Sequence, residues 1–279
     1  MIFDEKLFYS IFNKEIKKNV LPDSLHTLTF GYRFNKEIKE NVLPCSLHTL
    51  TFNDYFNQEI KENVLPASLY TLTFGEDFNQ EIKENVLPCS LHTLRLGETF
   101  DQEIKENVLP VSIHTLTFGY YFNQEIKENV LPCSLHTLSF GWYFNQEIKE
   151  NVLPETLYTL TFGQEYNKEI KENVLPNALQ TLKFGFHFNQ KINENVLPKS
   201  IKKICLYSHC NLINNLPLLL EEVSIKFVNN DKYDKEVNNL PITLEKIIIE
   251  NEKYLKYITK IPFGCNVVIN DFDKWFAYK

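Results

Sequence analysis

Residues 122–143 read FNQEIKENVLPCSLHTLSFGWY, and closely similar 22-residue units precede and follow this stretch without a change of spacing. The aromatic residue that opens each unit recurs nine times, at positions 12, 34, 56, 78, 100, 122, 144, 166 and 188. All 12 prolines belong to one series, the last three at spacings of 19, 24 and 21 residues. A constant period of this length is the signature of a repeat architecture. The sequence therefore predicts a solenoid in which each unit forms one coil.

The segment after each proline has the pattern of a short strand. Apolar residues follow the proline at offsets of three, six and eight, as Leu25, Leu28 and Phe30 do. The last two alternate with Thr27 and Thr29, which are predicted to point outward from a strand with one buried face. Each coil should contribute one short parallel strand.

The return segment before the proline allows two structures. Phe34, Ile38 and Val42 lie four apart and would share one face of a helix, but nine residues ending against a proline do not decide the matter, and we favour an extended or turn-rich segment.

The glycines mark a second fixed position in the unit. Seven of the eight share one column of like-numbered residues, and Asn53 fills the remaining place in that column. Asparagine tolerates the left-handed backbone better than most residues, so the column is predicted to be a turn with a left-handed residue. The seven glycines are Gly31, Gly75, Gly97, Gly119, Gly141, Gly163 and Gly185.

Stacked coils would place identical side chains above one another. The Asn column next to the opening aromatic residue is predicted to be an amide ladder that satisfies backbone groups between coils. Glu37 and Lys39 represent columns predicted to form a solvated face, with opposite charges on diagonals. The Asn column comprises Asn13, Asn35, Asn57, Asn79, Asp101, Asn123, Asn145, Asn167 and Asn189.

The apolar offsets continue after the regular units end. Val223 and Ile225 lie six and eight residues after Pro217, the offsets at which Leu28 and Phe30 follow Pro22. This predicts that the segment forms irregular coils of the same array. The predicted organisation is an N-terminal cap at 1–11, nine regular repeats at 12–198, degenerate repeats at 199–262 and a C-terminal cap at 263–279.

Composition narrows the class of protein. The chain has 279 residues, 43% of them hydrophobic and 14% aromatic, which is typical of a folded protein and not of a disordered one. The net charge is −7 with no basic stripe, so we predict neither a nucleic-acid nor a membrane partner. Neither a signal peptide nor a membrane-spanning run is recognisable, and six cysteines fit a reducing compartment. We therefore expect an intracellular, cytoplasmic protein.

Two groups of cysteine and histidine residues are candidate chemical sites. Three Cys-x-x-His pairs lie in alternate coils, about 10 Å apart by the strand spacing, and offer too few ligands for a closed zinc site. Cys205, His209 and Cys210 lack a visible orienting group for a nucleophile. We predict no metal, no cofactor and no catalysis. The three pairs are Cys45 with His48, Cys89 with His92 and Cys133 with His136.

Histidines also occupy a column of their own beside the strands. Stacked near 5 Å, they would either resist simultaneous protonation and respond to pH, or serve as polar residues on a strand edge. The column holds His26, His48, His92, His114 and His136.

The positions that vary between units are the candidates for recognition. Two residues follow each glycine, and the fold does not dictate their identity. Exposed Tyr and Trp are the residue types that dominate interfaces, so Tyr120, Tyr121, Trp142 and Tyr143 are predicted to form an aromatic patch that binds a partner. The alternative is that these rings fold over the edge of the core. The neighbouring acidic patch would be Asp54, Glu76, Asp77 and Glu98, and the other candidates for partner binding are Tyr32, Arg33, Tyr55, Phe186 and His187.

These columns resemble the FNIP repeat family, whose name spells the Phe34, Asn35, Ile38 and Pro44 positions. The family is similar to leucine-rich repeats and is known mainly from social amoebae and from giant DNA viruses that infect amoebae. The resemblance implies a leucine-rich-repeat-like solenoid that serves as a recognition surface. Several relatives carry an N-terminal F-box linked to ubiquitin ligases, which the 11 residues before the first unit are too few to hold.

The function expected from the sequence is a non-catalytic scaffold that binds a partner protein, in the host cytoplasm if the protein is viral. One alternative is a purely structural or genomically amplified array with no dedicated partner. Another is a substrate-recognition component of a ubiquitin ligase acting without its own F-box. The sequence leaves the partner and the oligomeric state open.

Overall fold

The computed structural model describes residues 12–192, 195–228 and 234–270. The chain divides into two compact units, the first at Met1–Gly141 and the second at Trp142–Lys279, and each of them contains several of the 22-residue repeats. The predicted N-terminal cap at 1–11 and the part of the predicted C-terminal cap after 270 lie outside the described residues. Within the described ranges, no helix has both the length and the apolar character needed to cross a membrane.

The first unit is a parallel β-solenoid with one strand per coil. Each strand pairs with the next one along the chain, and Leu28 lies opposite Leu50, 22 residues later. The strands are three residues long with a buried central leucine, which confirms the predicted strand and its outward threonines. They are β1 (Thr27–Thr29), β2 (Thr49–Thr51), β3 (Thr71–Thr73), β4 (Thr93–Arg95), β5 (Thr115–Thr117) and β6 (Thr137–Ser139).

The second unit continues the same pattern with longer strands. Val223 lies opposite Ile247 in a parallel pair and both are fully buried, as the proline-based register predicts. Two short 3₁₀ helices, Asn211–Asn214 and Glu252–Tyr257, replace parts of the return segments. The strands are β7 (Thr159–Thr161), β8 (Thr181–Lys183), β9 (Lys203–Tyr207), β10 (Glu222–Lys226), β11 (Lys246–Ile249) and β12 (Asn266–Ile269).

Two columns of aromatic rings fill the interior of the regular coils. Across the glycine turn that joins consecutive repeats, the rings of Phe30 and Phe34 stack with centroids 4.1 Å apart. Between coils, Phe34 stacks on Phe56 at 6.1 Å, and both side chains are buried. Offset stacking of this kind adds to the gain from burying apolar area. From Phe34 to Phe188, the opening aromatic residue of each 22-residue repeat is therefore a core residue, whereas Phe12 is half-buried.

The return segments are extended and turn-rich, as predicted, but the left-handed residue lies elsewhere than expected. In eight of the nine repeats it is the asparagine that precedes Val-Leu-Pro, with φ between 59° and 64°. The glycine column still begins a turn, since the Phe34 amide donates to the Gly31 carbonyl at 3.0 Å. The left-handed residues are Asn19, Asn41, Asn63, Asn85, Asn107, Asn129, Asn151 and Asn173.

Close approach between coils, and not a left-handed backbone, explains the glycines. None of the glycines in the column has a positive φ among the described residues. A Cβ atom on Gly119 would lie 1.6 Å from the carbonyl oxygen of Gly97, and one on Gly97 would lie 2.1 Å from that of Gly75. The prediction of a left-handed glycine was therefore wrong. A left-handed backbone and close approach between coils both favour glycine, so the sequence pattern does not distinguish the two reasons.

The left-handed asparagine allows a stability prediction at Asn107, which is exposed and has φ 64°. Asn107→Ala should lower the free energy of unfolding by about 1 kcal/mol, because alanine pays the steric penalty of this region. Asn107→Gly should change it by only a few tenths, since glycine enters the region freely. Urea denaturation of both variants measures the difference. Equal losses in the two variants would contradict this account.

The predicted amide ladder is confirmed. In the first unit, the backbone amide of Asn57 donates to the Oδ1 atom of Asn35 at 3.1 Å, and the next coils repeat this bond. Asp101 serves the ladder equally well, because its carboxylate accepts from the Asn123 amide at 2.8 Å. In the second unit the ladder continues to the Asn211 amide. The side chains thus satisfy backbone donors that the short strands do not reach.

The charged columns form the predicted diagonal pairs. Lys61 contacts Glu37 of the preceding coil at 2.6 Å, and the pair repeats along the first unit. This hydrogen bond lowers the pKa of Glu37 and raises that of Lys61. Both side chains are exposed, so the pairs add little to stability and mainly keep this face solvated.

Candidate interaction surface

The turn after each glycine presents two residues on a fixed backbone. In the first unit, the Tyr55 amide donates to the Tyr32 carbonyl at 3.0 Å, and the Asp77 amide donates to that of Asp54 at 2.7 Å. These bonds join successive turns into a ladder that does not depend on the side chains. The side chains can therefore vary without changing the coil.

We call the turn residues of the first unit the turn ridge. Tyr55 and Tyr121 are each 50% exposed and Tyr32 is 38% exposed, so these rings do not fold over the core. The Tyr32 and Tyr55 rings meet edge to face at 6.2 Å, and the Arg33 guanidinium lies 5.4 Å from the Tyr32 ring centre. The ridge comprises Tyr32, Arg33, Asp54, Tyr55, Glu76, Asp77, Glu98, Thr99, Tyr120 and Tyr121.

Carboxylates occupy the middle of the turn ridge. Partial burial, followed by repulsion from the neighbouring carboxylates of Asp54, Glu98 and Asp77, raises the pKa of Glu76. The Tyr121 amide donates to the Glu98 carbonyl at 2.8 Å, so the tyrosine-bearing turn lies directly on the last acidic turn. The predicted acidic patch is thus confirmed, and tyrosines flank it on both sides.

Tyr120 and Tyr121 differ in accessibility. Their rings meet edge to face at 5.0 Å. The Tyr120 side chain is half-buried, whereas Tyr121 is exposed. The Tyr120 ring thus packs against the Tyr121 ring, and Tyr121 is the more accessible of the two to a partner.

In the second unit, the equivalent turns are less uniformly exposed. Tyr143 is 42% exposed, while Trp142 is half-buried and its carbonyl accepts the Glu165 amide at 2.9 Å. Phe186 is half-buried against Tyr207, with ring centres 5.2 Å apart. Trp142 and Tyr143 belong to the second compact unit, so the predicted single patch with Tyr120 and Tyr121 stays a prediction.

His187 is exposed, and its ring faces an acidic neighbour. Its Nε2 atom lies 3.5 Å from Oε1 of Glu165. The adjacent Gln164 is buried, and its Oε1 atom accepts from the Phe186 amide at 2.7 Å. The buried Gln164 side chain therefore binds the backbone of the next turn, in which His187 is exposed and Phe186 is half-buried.

The histidine column stacks beside the strands as predicted. The His92 and His114 rings lie 4.9 Å apart, and Tyr70 stacks on His92 at 4.1 Å. The Nδ1 atom of His92 lies 2.7 Å from the Ser90 carbonyl oxygen, which requires the proton on Nδ1 in the neutral ring. Two strands carry a basic residue in place of an outward threonine. Arg95 in β4 is exposed, whereas Lys183 in β8 is partly buried, and this burial lowers its pKa.

The cysteines singled out in the sequence lie in two different environments. Cys45, Cys89 and Cys133 are exposed, as predicted. Burial raises the pKa of Cys205 and of Cys210 to about 11, so both remain thiols at neutral pH, whereas a nucleophile must be a thiolate. Over the part of the chain that the structure describes, no cluster of three or more His, Cys, Asp or Glu side chains could hold a metal ion.

One exposed surface was not predicted from the sequence. It lies at the prolines of the last three coils in the second unit, and we call it the corner patch. Phe263 is fully exposed, and Ile242 is 89% exposed. The sequence contains a pattern that could have predicted this surface: in the second compact unit, the residue after proline changes from Glu155, Asn177 and Lys199 to Leu218, Ile242 and Phe263. The corner patch comprises Leu218, Leu219, Ile242, Ile261 and Phe263.

Repeated coils, one short parallel strand in each and an asparagine ladder define a leucine-rich-repeat-like solenoid. The matched family is described as FNIP Repeat, and it matches residues 12–55, 56–99, 100–143, 122–165, 144–187 and 166–209. The chain belongs to the FNIP repeat family.

Two solved structures are similar to the chain. The first is CroV588, a giant-virus protein described as a novel circular LRR protein structure, with 45% identity and a TM-score of 0.79. That match covers 92% of this chain and 38% of CroV588, so the chain spans well under half the length of this neighbour. A leucine-rich repeat protein from Bacteroides ovatus matches 88% of this chain and 75% of its own at 14% identity, but its TM-score is only 0.18. No curated protein matches the chain.

Proposed function

We propose that this protein is a non-catalytic interaction module that binds a partner protein through the turn ridge of its first unit. The observation that carries the proposal is the exposure of Tyr32, Tyr55 and Tyr121 on turns whose backbone is held by hydrogen bonds between coils. Tyrosine supplies a large contact area at low conformational cost, and a rigid backbone lowers that cost further. A leucine-rich-repeat-like fold commonly serves such a role.

The charge of the turn ridge indicates the kind of partner. Four carboxylates lie between the two tyrosine-bearing ends, and repulsion among them already contributes to the raised pKa of Glu76. A partner with Lys or Arg side chains would relieve that repulsion, and its cations could also stack on the tyrosine rings. We therefore expect a partner whose contact surface is basic, and an interaction that weakens as salt concentration rises.

The test compares three versions of the tagged chain as bait in host-cell lysate. One is wild type, one carries Tyr55→Ala and Tyr121→Ala, and the control carries Tyr70→Ala and Tyr158→Ala. The control tyrosines are 49% and 44% exposed, close to the ridge tyrosines, but lie in the column beside the strands. Quantitative mass spectrometry of the captured proteins should show one species at least tenfold less abundant on the ridge variant only.

The same experiment separates the competing functions. A purely structural array predicts no protein enriched on wild type over the ridge variant. Equal loss on the ridge variant and the control would assign binding to exposed aromatic residues in general, and the turn-ridge proposal would fail. Circular dichroism of all three baits establishes that the substitutions leave the fold intact, as expected for exposed side chains.

A further inference from the structure

The corner patch is formed by the turns that follow proline in three successive coils. The Leu220 amide donates to the Pro217 carbonyl at 3.2 Å, and the two following coils repeat this bond at 3.1 Å. The hydroxyl of Thr243 donates to the Leu220 carbonyl at 3.2 Å, which seats the second turn on the first. Parallel pairing of β10, β11 and β12 keeps the three turns in line. Leu218, Ile242 and Phe263 therefore follow one another along a single stripe.

The exposure of this stripe is unusual for a folded protein. Leu218 is 78% exposed, Leu219 59%, Ile242 89%, Ile261 42% and Phe263 105%. Together these side chains present on the order of 600–700 Å² of apolar surface, at or above the largest patch of an ordinary monomer. The turn residues at 217–219, 241–243 and 262–264 include no charged side chain. Neither core packing nor solubility explains such a surface.

The patch is also limited in length. In the preceding coils of the second unit, the residue after proline is Glu155, Asn177 and Lys199 in turn. Within residues 195–228 and 234–270, the exposed apolar column is thus three coils long, and it begins after a charged side chain. A short self-contained patch suits a closed contact between two molecules better than an open array, which needs two different complementary surfaces.

We propose that the corner patch is the interface of a homodimer, in which two copies of this chain pack their corner patches together about a two-fold axis. Complete burial of the patch on both copies removes roughly 1,200–1,400 Å² of surface, which reaches the lower end of the range for stable specific interfaces. With the two stripes antiparallel, Ile242 lies at the axis, and Leu218 of one copy faces Phe263 of the other. No residue of the turn ridge takes part, so the dimer does not depend on the proposed partner binding.

Sedimentation velocity of the full chain tests the dimer across the micromolar concentration range. Wild type should sediment as a mixture whose mass rises with concentration and levels off at twice that of the monomer. Ile242→Glu places two carboxylates across the axis and should weaken the dimerisation constant by roughly 100-fold or more. Phe263→Ser, at the end of the stripe, should weaken it less. Circular dichroism of each variant reports its folding.

Val111→Glu is the matched control for the charge itself. Val111 also follows a proline and is 69% exposed, but it lies in the first compact unit, where its neighbours in the column are Cys89 and Cys133. Its substitution should leave the dimer unchanged. A wild-type chain that stays monomeric throughout overturns the proposal, as does a dimer that survives Ile242→Glu or is equally weakened by Val111→Glu. A mass that rises past the dimer without a plateau overturns the two-fold arrangement.

Discussion

Gly119→Ala is expected to destabilise the first unit by about 3 kcal/mol, at the top of the range for overpacked sites. The added Cβ atom would lie 1.6 Å from the Gly97 carbonyl oxygen and 2.5 Å from its carbonyl carbon. Relief requires the two coils to separate, but the Tyr121 amide bond to Glu98 holds the same pair of turns at 2.8 Å. The backbone cannot move away from the methyl group without losing that ladder. Urea denaturation followed by circular dichroism measures the loss.

Gly264→Ala provides the comparison, because that glycine is required for a different reason. It has φ +81°, and no atom lies within 4 Å of the place that an added Cβ would take, so its substitution meets backbone strain but no clash. The expected loss is about 1–2 kcal/mol. If Gly119→Ala proves no more harmful than Gly264→Ala, close approach between coils is not what the glycine column provides.

The architecture was predictable because a constant repeat length determines how successive coils stack. A period of 22 residues fixes which side chains stack, and the Asn35–Asn57 ladder and the Lys61–Glu37 diagonals follow from that stacking. The role of the glycines could not be predicted in this way, since close approach between coils and a left-handed backbone both favour glycine. The signal for the left-handed position was the asparagine before each Val-Leu-Pro, because asparagine is enriched at positive φ among residues other than glycine.

The candidate surfaces were predictable only in part. Variation after each glycine located the turn ridge, because the coil does not dictate those residues. Burial of the individual rings was not predictable, since it depends on the next coil. Phe186, for example, packs against His209 and Tyr207 from a coil where the regular unit has ended. The corner patch was missed because its residues lie outside the nine regular units, where the consensus sets no expectation for the position after proline.

Phe78→Ala is expected to cost about 3–5 kcal/mol, the largest loss among the substitutions considered, because it opens a cavity inside the aromatic columns. The Phe78 ring is 1% exposed and stacks on Phe74 at 3.8 Å and on Phe56 and Phe100 at 6.1 Å. It therefore joins three successive coils, and in a solenoid such contacts between neighbouring coils are a main contribution to stability.

The measurement of this effect is the urea midpoint and slope, compared with those of Tyr70→Ala. Tyr70 is an aromatic residue of similar size in the coil just before Phe78, but it is 49% exposed, so its removal leaves no cavity. Phe78→Leu should lie between the two, since leucine refills part of the space and Leu96 already occupies a ring position in the adjoining column. A Phe78→Ala variant no less stable than Tyr70→Ala would mean that the ring columns are not what couples one coil to the next.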